Sequence, residues 1–202
     1  NVQGAAHMGC DPGILTGSAA LRENLERFDV AWNAHLPRTP GLNLMQMMDA
    51  AADGKLKAMW CIGYDVALTN ANAESTLAAF DSLDLVVVQD LFLNETARRF
   101  GHLFLPACSS LEKDGTFMNS ERRIQRVRAA LQPRGASRPD WQIICQIAQE
   151  MGHADQFSYE SAREIWDEIR SVWPDGAGIS YDRLESGGLQ WPCPTVDHAG
   201  TT

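Results

Sequence analysis

Two aspartates follow short apolar segments, and this position suggests that they hold a ligand. Asp65 stands two residues after Gly63, at the end of KAMWCIG (57–63), and Asp90 follows VVVQ (86–89). A carboxylate at such a place can accept hydrogen bonds from a ribose hydroxyl, or from the N1–H and amino group of guanine. Each hydrogen bond that involves a charged group contributes about 1.5–3 kcal/mol. The residues leave two interpretations open, a nucleotide-type ligand or a pair of aspartates that cap helices.

The elements around these aspartates predict a parallel sheet. Apolar strands are expected at 57–63, Leu85–Val88 and Leu103–Leu105, with helices at 72–82 and 94–100 between them. The strands are apolar on both faces rather than alternating, which is typical of a parallel sheet covered by helices. We therefore predict an α/β fold, a Rossmann-like parallel sheet with helices on both faces and right-handed crossovers. Ligands of open α/β sheets bind outside the carboxyl ends of the strands, where both aspartates stand.

The rest of the chain predicts further helices and two short strands. Residues 1–17 contain four glycines and indicate an ordered loop, after which Ser18 can cap a helix. From Pro174 onward the sequence indicates mainly loops. The remaining elements are expected, in chain order, as a helix that Asn43 caps, strands at Thr116–Met118 and Ile124–Val127, a helix that Asp140 caps, and a helix at Glu160–Val172.

The sequence contains no self-sufficient catalytic or metal-binding constellation. The dinucleotide fingerprint GxGxxG, the phosphate loop GxxxxGK[ST], the nucleophile elbow GxSxG and the zinc motif HExxH are all absent. The five cysteines form no CxxC pair, and the five histidines are dispersed. A metal site made of these residues alone is therefore not expected.

Charge and composition exclude several classes of partner. A net charge of −9 and a pI near 4.9 argue against nucleic-acid or anionic-membrane binding. No apolar run approaches the length of a membrane span, and 45% apolar content can supply a core, so we expect a soluble globular chain without membrane insertion. Six of the 17 basic residues are arginines between positions 122 and 138. A solvated or subunit-facing basic patch and a phosphate-binding surface both remain open for them.

Six segments together carry a family resemblance. They are, in order, NVQGAAHMG (1–9), GYD (63–65), VVVQDLFLNETA (86–97), LPACSSLEKDGTFMNSERRIQ (105–125), DWQIICQIAQEMG (140–152) and LQWPC (189–193). The patterns EKDGTFxNxERRxQ and VVQDxFxxETA are long enough to make chance agreement implausible. With these segments the chain closely resembles, over nearly its whole length, the molybdopterin-dependent oxidoreductases, specifically the catalytic subunit of molybdenum or tungsten formate dehydrogenases.

The resemblance implies a role for the end of the sheet. In this family a bis-(molybdopterin guanine dinucleotide) cofactor with Mo or W lies between domains, and one α/β domain holds a guanine nucleotide arm. Residues 1–173 would form that domain of a larger subunit, and 174–202 would lead towards the next domain. Asp140 has a second interpretation as a plain helix cap. Carried over position by position, the contacts would come from Gly63, Asp65, Thr69, Gln89, Asp90, Ala107 and Asp140.

The sequence departs from the family pattern at three places. Gly63-Tyr64-Asp65-Val66 stands where Gly-Glu-Asn/Asp-Pro is usual, and the loss of the proline frees the φ angle of the turn. Asn94 stands where threonine is usual, and Ala107 where serine is common. These differences concern the geometry of the contacts more than the class of ligand.

The resemblance also implies what the whole enzyme does. Formate would be oxidised to CO2 at the metal, and electrons would leave through the pterin and a 4Fe-4S cluster in a preceding part of the subunit. The metal-ligating Cys or selenocysteine and its neighbouring His belong to that part, so no catalytic or metal-ligating residue is expected here, and this piece alone should be inactive. The implied partners are the remaining domains, electron-transfer subunits and formate, in the cytoplasm. A nitrate reductase of the same family, or a scaffold without the cofactor as in the large iron–sulfur subunit of NADH dehydrogenase, stays open.

Overall fold

Helices and short strands follow one another along the chain in a computed structural model that describes residues 2–21, 23 and 25–201. The strands are β1 (Ile14–Leu15), β2 (Ala19–Ala20), β3 (Ala58–Ile62), β4 (Leu85–Asp90), β5 (Leu103–Pro106), β6 (Gly115–Met118), β7 (Arg123–Val127) and β8 (Leu189–Gln190). The α-helices are α1 (Val2–His7), α2 (Glu26–Ala31), α3 (Leu44–Ala52), α4 (Val66–Thr69), α5 (Ala73–Asp81), α6 (Glu95–Phe100), α7 (Asp140–Glu150) and α8 (Ala162–Val172).

The contacts within the chain group the residues into two units, which are described separately. The first unit comprises Asn1–Gly41, Asp114–Ala129 and Ala148–Thr202. The second comprises Leu42–Lys113 and Ala130–Ile147. The boundary that the sequence suggests between residues 173 and 174 falls inside the first unit, and that division stays a prediction.

The predicted parallel sheet forms the centre of the second unit. Its strands lie in the order β3-β4-β5, and both neighbouring pairs are parallel. Val86 and Val88 of the central strand β4 are fully buried and share a core with Phe80 of α5 and Met48 of α3. Val86 and Val88 lie on one face of this strand and the partly buried Val87 lies on the other, so both faces of the sheet are apolar and need covering by helices. The α/β fold class predicted from the sequence is confirmed.

Three of the helices in the second unit begin at asparagines that satisfy free backbone N–H groups. Asn43 forms a capping box with Gln46, in which each side chain accepts from the backbone N–H of the other residue at 2.9–3.0 Å. Asn72 accepts from the N–H of Ser75 at the start of α5, and Asn94 begins α6 in the same way. The helix start predicted at Asn43 is confirmed.

The first unit contains an antiparallel sheet and its own core. The two strands predicted at Thr116–Met118 and Ile124–Val127 are present as β6 and β7. They form an antiparallel hairpin, and β8 pairs with β7 on the other side. The indole N–H of Trp166 in α8 donates to the carbonyl of Ile179 at 2.7 Å, and both residues are buried in this core. β8 was not predicted from the sequence, because two residues within a loop-rich segment carry no periodic signal.

Two predictions about the amino-terminal segment are wrong. Val2–His7 form a short helix instead of a loop, since Ala5 and Ala6 favour helix, and Gly4 is the buried residue of this helix. Ser18 does not cap a helix, because its φ of +58° is left-handed whereas a capping residue has an extended backbone. The next helix, α2, begins only at Glu26.

None of the helices within the described ranges has both the length and the apolar character that a membrane crossing requires.

Candidate cofactor-binding site

The carboxyl ends of the three parallel strands bring four of the predicted site residues together. Ile62 is in register with Gln89, and Asp90 is in register with Pro106. The N–H of Gly63 donates to the carbonyl of Gln89 at 2.8 Å, and the N–H of Ala107 donates to the carbonyl of Asp90 at 3.0 Å. The parallel arrangement therefore places the residues that follow each strand along one edge, as the sequence predicts.

Gly63 supplies the turn that leaves β3. Its φ is +62°, a left-handed conformation that glycine adopts without the cost that a side chain brings. A Cβ at this position would have no atom within 4 Å, so the backbone conformation rather than crowding favours glycine.

The carboxylate of Asp65 is hydrogen-bonded to the first turn of α6. It accepts hydrogen bonds from the hydroxyl of Thr96 at 2.6 Å, from the N–H of Thr96 at 3.0 Å and from the N–H of Glu95 at 3.1 Å. Burial raises the pKa of Asp65, but these hydrogen bonds outweigh that effect and hold the pKa below its ordinary value of 3.8. Asp65 therefore acts as a helix cap, one of the two interpretations that the sequence left open. The helix that it caps is α6, which begins 30 residues further along the chain. Thr69 is exposed, and its hydroxyl donates to the Asp65 carbonyl at 2.6 Å.

Asp90 retains more capacity to accept hydrogen bonds than Asp65. One of its oxygens accepts from the N–H of Leu91 at 2.6 Å and the other from the side-chain amide of Asn94 at 2.8 Å. An ionised carboxylate has about four acceptor positions, so two remain. The side-chain oxygen of Asn94 accepts from the N–H of Ala97 at 2.9 Å, so Asn94 bridges Asp90 and α6. Threonine, usual here in the family pattern, has no amide to span both partners.

Contacts between three side chains link the end of β4 to the start of α7. Gln89 is fully buried, and its amide nitrogen donates to the Asp140 carboxylate at 2.8 Å. The other oxygen of that carboxylate pairs with the ammonium of Lys113. Asp140 is thus used for side-chain contacts, and its interpretation as a plain helix cap does not describe these bonds.

The amide oxygen of Gln89 is buried and finds no hydrogen-bond donor among the described residues. Leaving a buried acceptor without a partner costs about 1–3 kcal/mol. Since the amide nitrogen is held by Asp140, the amide cannot turn to relieve this without losing the Asp140 hydrogen bond.

Lys113 belongs to this cluster but was not among the residues predicted from the sequence. It lies in the segment LEKDGTF (111–117), which is part of the family resemblance. The lysine itself stands at no predicted strand end or helix start, so no local signal indicated a role for it. The adjacent Glu112 holds the loop in place, accepting from the N–H and hydroxyl of Ser109, each at 2.8 Å, and from the N–H of Arg134 at 3.0 Å. These contacts, chiefly the N–H of Ser109, lower the pKa of Glu112.

The chemistry of this edge is recognition by hydrogen bonds and charge. Throughout the part of the chain that the structure describes, no three His, Cys, Asp or Glu side chains gather as metal ligands. The side chains present can accept hydrogen bonds through Asp90 and Gln89 and can offer a positive charge through Lys113.

Comparison with known proteins decides the family. The model of the molybdopterin oxidoreductase family matches residues 2–150. This chain belongs to the molybdopterin oxidoreductase family. The α/β unit, Leu42–Lys113 and Ala130–Ile147, lies within the matched residues.

Formate dehydrogenases are among the curated relatives of this molybdopterin oxidoreductase. The chain is 42% identical over 202 residues to "F420-dependent formate dehydrogenase 2 subunit alpha" of Methanococcus maripaludis, a match that covers 100% of this chain and 30% of that relative. It is 43% identical over 187 residues to "Putative formate dehydrogenase YrhE" of Bacillus subtilis, covering 92% of this chain and 19% of that relative. The chain therefore spans less than a third of the length of these relatives.

A solved structure shares the fold. Acetylene hydratase from Pelobacter acetylenicus superimposes with a TM-score of 0.62 at 20% sequence identity, covering 90% of this chain and 25% of that one. This likeness supports the fold of the chain and carries no information about its substrate.

Proposed function

We propose that this chain is part of the catalytic subunit of a formate dehydrogenase. We further propose that the carboxyl edge of its parallel sheet binds one guanine nucleotide arm of bis-(molybdopterin guanine dinucleotide) carrying Mo or W. The observation that carries the second proposal is the carboxylate of Asp90, which keeps two acceptor positions at the carboxyl end of the central strand. The names of the relatives support the first.

The residues of the edge fit a guanine base and its phosphates. Guanine presents two neighbouring donors, N1–H and the exocyclic amino group, and the two spare acceptor positions of the Asp90 carboxylate are suited to them. The ammonium of Lys113 has three donors and uses one for Asp140, so the others can reach a carbonyl or phosphate oxygen. Charge-assisted hydrogen bonds of this kind are about twice as strong as neutral ones.

An apolar surface beside Asp90 supports the same proposal. The loop after β4 exposes Leu91, Phe92 and Leu93, and Phe92 is 76% exposed. Stacking of a base on an aromatic ring contributes about 1–3 kcal/mol per base. We propose that this loop covers one face of the purine while Asp90 accepts from its edge.

The remaining predicted contacts have supporting roles in this proposal. Gly63 and Ala107 bring backbone close to the ligand, since neither has a long side chain to exclude it. Asp65 and Thr69 shape the β3–α4 turn, because Asp65 is already hydrogen-bonded to α6. Asp140 orients the Gln89 amide.

The cofactor, when bound, supplies the metal centre at which formate is oxidised, and the residues of this chain hold and orient it. We propose that the metal ligands and a 4Fe-4S cluster lie in other parts of the subunit, and that electron-transfer subunits are its partners. On this proposal the 202-residue piece alone has no formate dehydrogenase activity.

Analysis of the intact subunit tests the proposed function. The full-length subunit should contain Mo or W and should release guanosine monophosphate when the pyrophosphate of its cofactor is hydrolysed. It should also reduce an artificial dye with formate but not oxidise that dye with nitrate. Release of a cytidine nucleotide would contradict the guanine site. Nitrate-dependent turnover would make the chain part of a nitrate reductase, and a subunit without pterin would make it a scaffold.

A further inference from the structure

The turn between β6 and β7 holds Arg122 in a backbone conformation that suits glycine better. Arg122 has a φ of +65°, and its N–H donates to the carbonyl of Asn119 at 3.1 Å to close the turn. The side chain of Asn119 accepts from the N–H groups of Glu121 and Arg123. Glycine would meet this turn without backbone strain. The contribution of an arginine here must therefore come from its side chain.

The guanidinium of Arg122 differs from those of the arginines that follow it. Arg126 and Arg128 both pair with Glu185, and Arg123 donates to β8. Within residues 2–21, 23 and 25–201, no acidic side chain pairs with Arg122. Its guanidinium lies over the indole of Trp191, 5.2 Å from the ring centroid. Stacking leaves the N–H groups at the rim of the guanidinium available to an anion.

The indole of Trp191 is a fixed support for this cation. Its ring N–H is 3.4 Å from the sulfur of Met118, and the ring of Trp173 packs edge-on at a centroid distance of 5.7 Å. The backbone N–H of Trp191 donates to the carbonyl of Arg122 at 3.2 Å. Trp191 and Arg122 are therefore in contact through their side chains and through a backbone hydrogen bond.

His7 packs against the same indole, and its Nε2 has no hydrogen-bond partner among the described residues. The centroids of the His7 and Trp191 rings are 4.5 Å apart in an edge-on arrangement. Nδ1 of His7 is hydrogen-bonded to the hydroxyl of Ser18, whose backbone is also left-handed at φ +58°. Burial, and then the charge of Arg122, lower the pKa of His7, which favours the neutral ring. If Ser18 donates to Nδ1, Nε2 carries the proton and becomes a donor.

We propose that Arg122 and His7, supported by Trp191, form a binding site for a tetrahedral oxyanion of the phosphate type. The planar fork of Arg122 matches two oxygens of such an anion, and Nε2–H of His7 supplies a further donor. Two of the three non-glycine residues with left-handed φ in the described chain, Ser18 and Arg122, hold these groups in place. This site lies wholly in the first unit and does not depend on the proposed guanine site in the second.

Selenate is a suitable crystallographic probe, because it is a tetrahedral oxyanion whose selenium gives a strong anomalous signal. Crystals of the full-length subunit, with and without its cofactor, should show an anomalous peak within hydrogen-bond distance of Arg122 and His7. A peak in both forms indicates a site for a free anion, and a peak only without cofactor indicates a site for a phosphate group of the cofactor. The absence of a peak in both forms overturns the proposal.

Arg122→Gly is a variant that should fold, since glycine accepts a φ of +65° more readily than arginine. It should bind inorganic phosphate at least tenfold more weakly than the wild type in calorimetry, and it should lose the selenate peak. His7→Phe, which keeps a ring against Trp191 but removes the donor, should weaken binding about threefold. Arg128→Gln is the matched control, because Arg128 is already paired with Glu185 and should leave binding unchanged. Equal phosphate affinity in Arg122→Gly and the wild type overturns the proposal.

Discussion

The side-chain amide of Gln89 donates to the carboxylate of Asp140 at 2.8 Å, although the two residues stand 51 positions apart in the sequence. This hydrogen bond joins the end of the central strand β4 to the first residue of α7. It also fixes which end of the amide faces Asp140, so the oxygen of Gln89 is the atom left to accept from another group.

Asp140→Ala should destabilise the protein by about 1–3 kcal/mol, because the buried amide of Gln89 would lose its acceptor and Lys113 its counter-charge. The decrease is measurable by chemical denaturation. Glu150→Ala, at the exposed end of the same helix, is the control and should have little effect. Equal stability of the two variants would show that the amide hydrogen bond contributes nothing.

Asp65 should make the stability of the protein depend on acid pH. Its pKa in the folded chain lies below the ordinary value of 3.8, so the folded state binds the proton less readily than the unfolded state. The stabilisation is fully present above the unfolded pKa and is lost as pH falls through the folded pKa. Asp65→Asn should therefore lower stability at pH 7 and reduce its loss below about pH 4. Unfolding curves between pH 7 and pH 3 that are parallel for the two proteins would contradict this role.

The cysteines should differ in reactivity towards iodoacetamide at pH 8. Cys10 is exposed, whereas Cys61, Cys108, Cys145 and Cys193 are buried. Burial, followed by the charge of Asp65, raises the pKa of Cys61 to about 11, so its reactive thiolate is scarce as well as covered. Mass spectrometry should find native labelling at Cys10 and labelling of the other four only after denaturation. Rapid native labelling of Cys61 would contradict the burial of β3.

Gly178→Ala should destabilise the first unit by about 1–3 kcal/mol through overpacking, since the added Cβ would lie 2.0 Å from the carbonyl oxygen of Thr195. Gly115→Ala is a matched control, because its Cβ would have no atom within 4 Å and its φ is not left-handed. Thermal unfolding of the two variants tests the difference. Similar midpoints would mean that the close approach of Thr195 can relax at little cost.

Periodicity and turn residues predicted the parallel sheet because both signals are local. Each buried strand is a short apolar run, and Asn43 stands directly before the helix that it caps. The amino-terminal segment was predicted wrongly because glycine content does not distinguish a loop from a short helix that buries a glycine. β8 was missed because its pairing partner, β7, lies more than sixty positions away.

The sequence predicts where the residues at the edge of the sheet lie, but not which hydrogen bonds they form. Because Asp65 and Asp90 both come at the ends of strands, the sequence places them at one edge of the sheet. Only the structure shows that the Asp65 carboxylate is hydrogen-bonded to α6, whereas the Asp90 carboxylate keeps free acceptor positions. Lys113 could not be predicted, because its pairing with Asp140 spans 27 positions and no local pattern specifies it.

Cofactor content of Asp90→Ala in the full-length subunit tests the central proposal most directly. Guanosine monophosphate released per subunit, together with Mo or W content, should fall at least threefold, while Asp84→Ala, an exposed aspartate just before the opposite end of β4, should match the wild type. Both variants should be folded, as judged by circular dichroism. Full nucleotide and metal content in Asp90→Ala would contradict the proposal that this edge of the sheet binds the guanine.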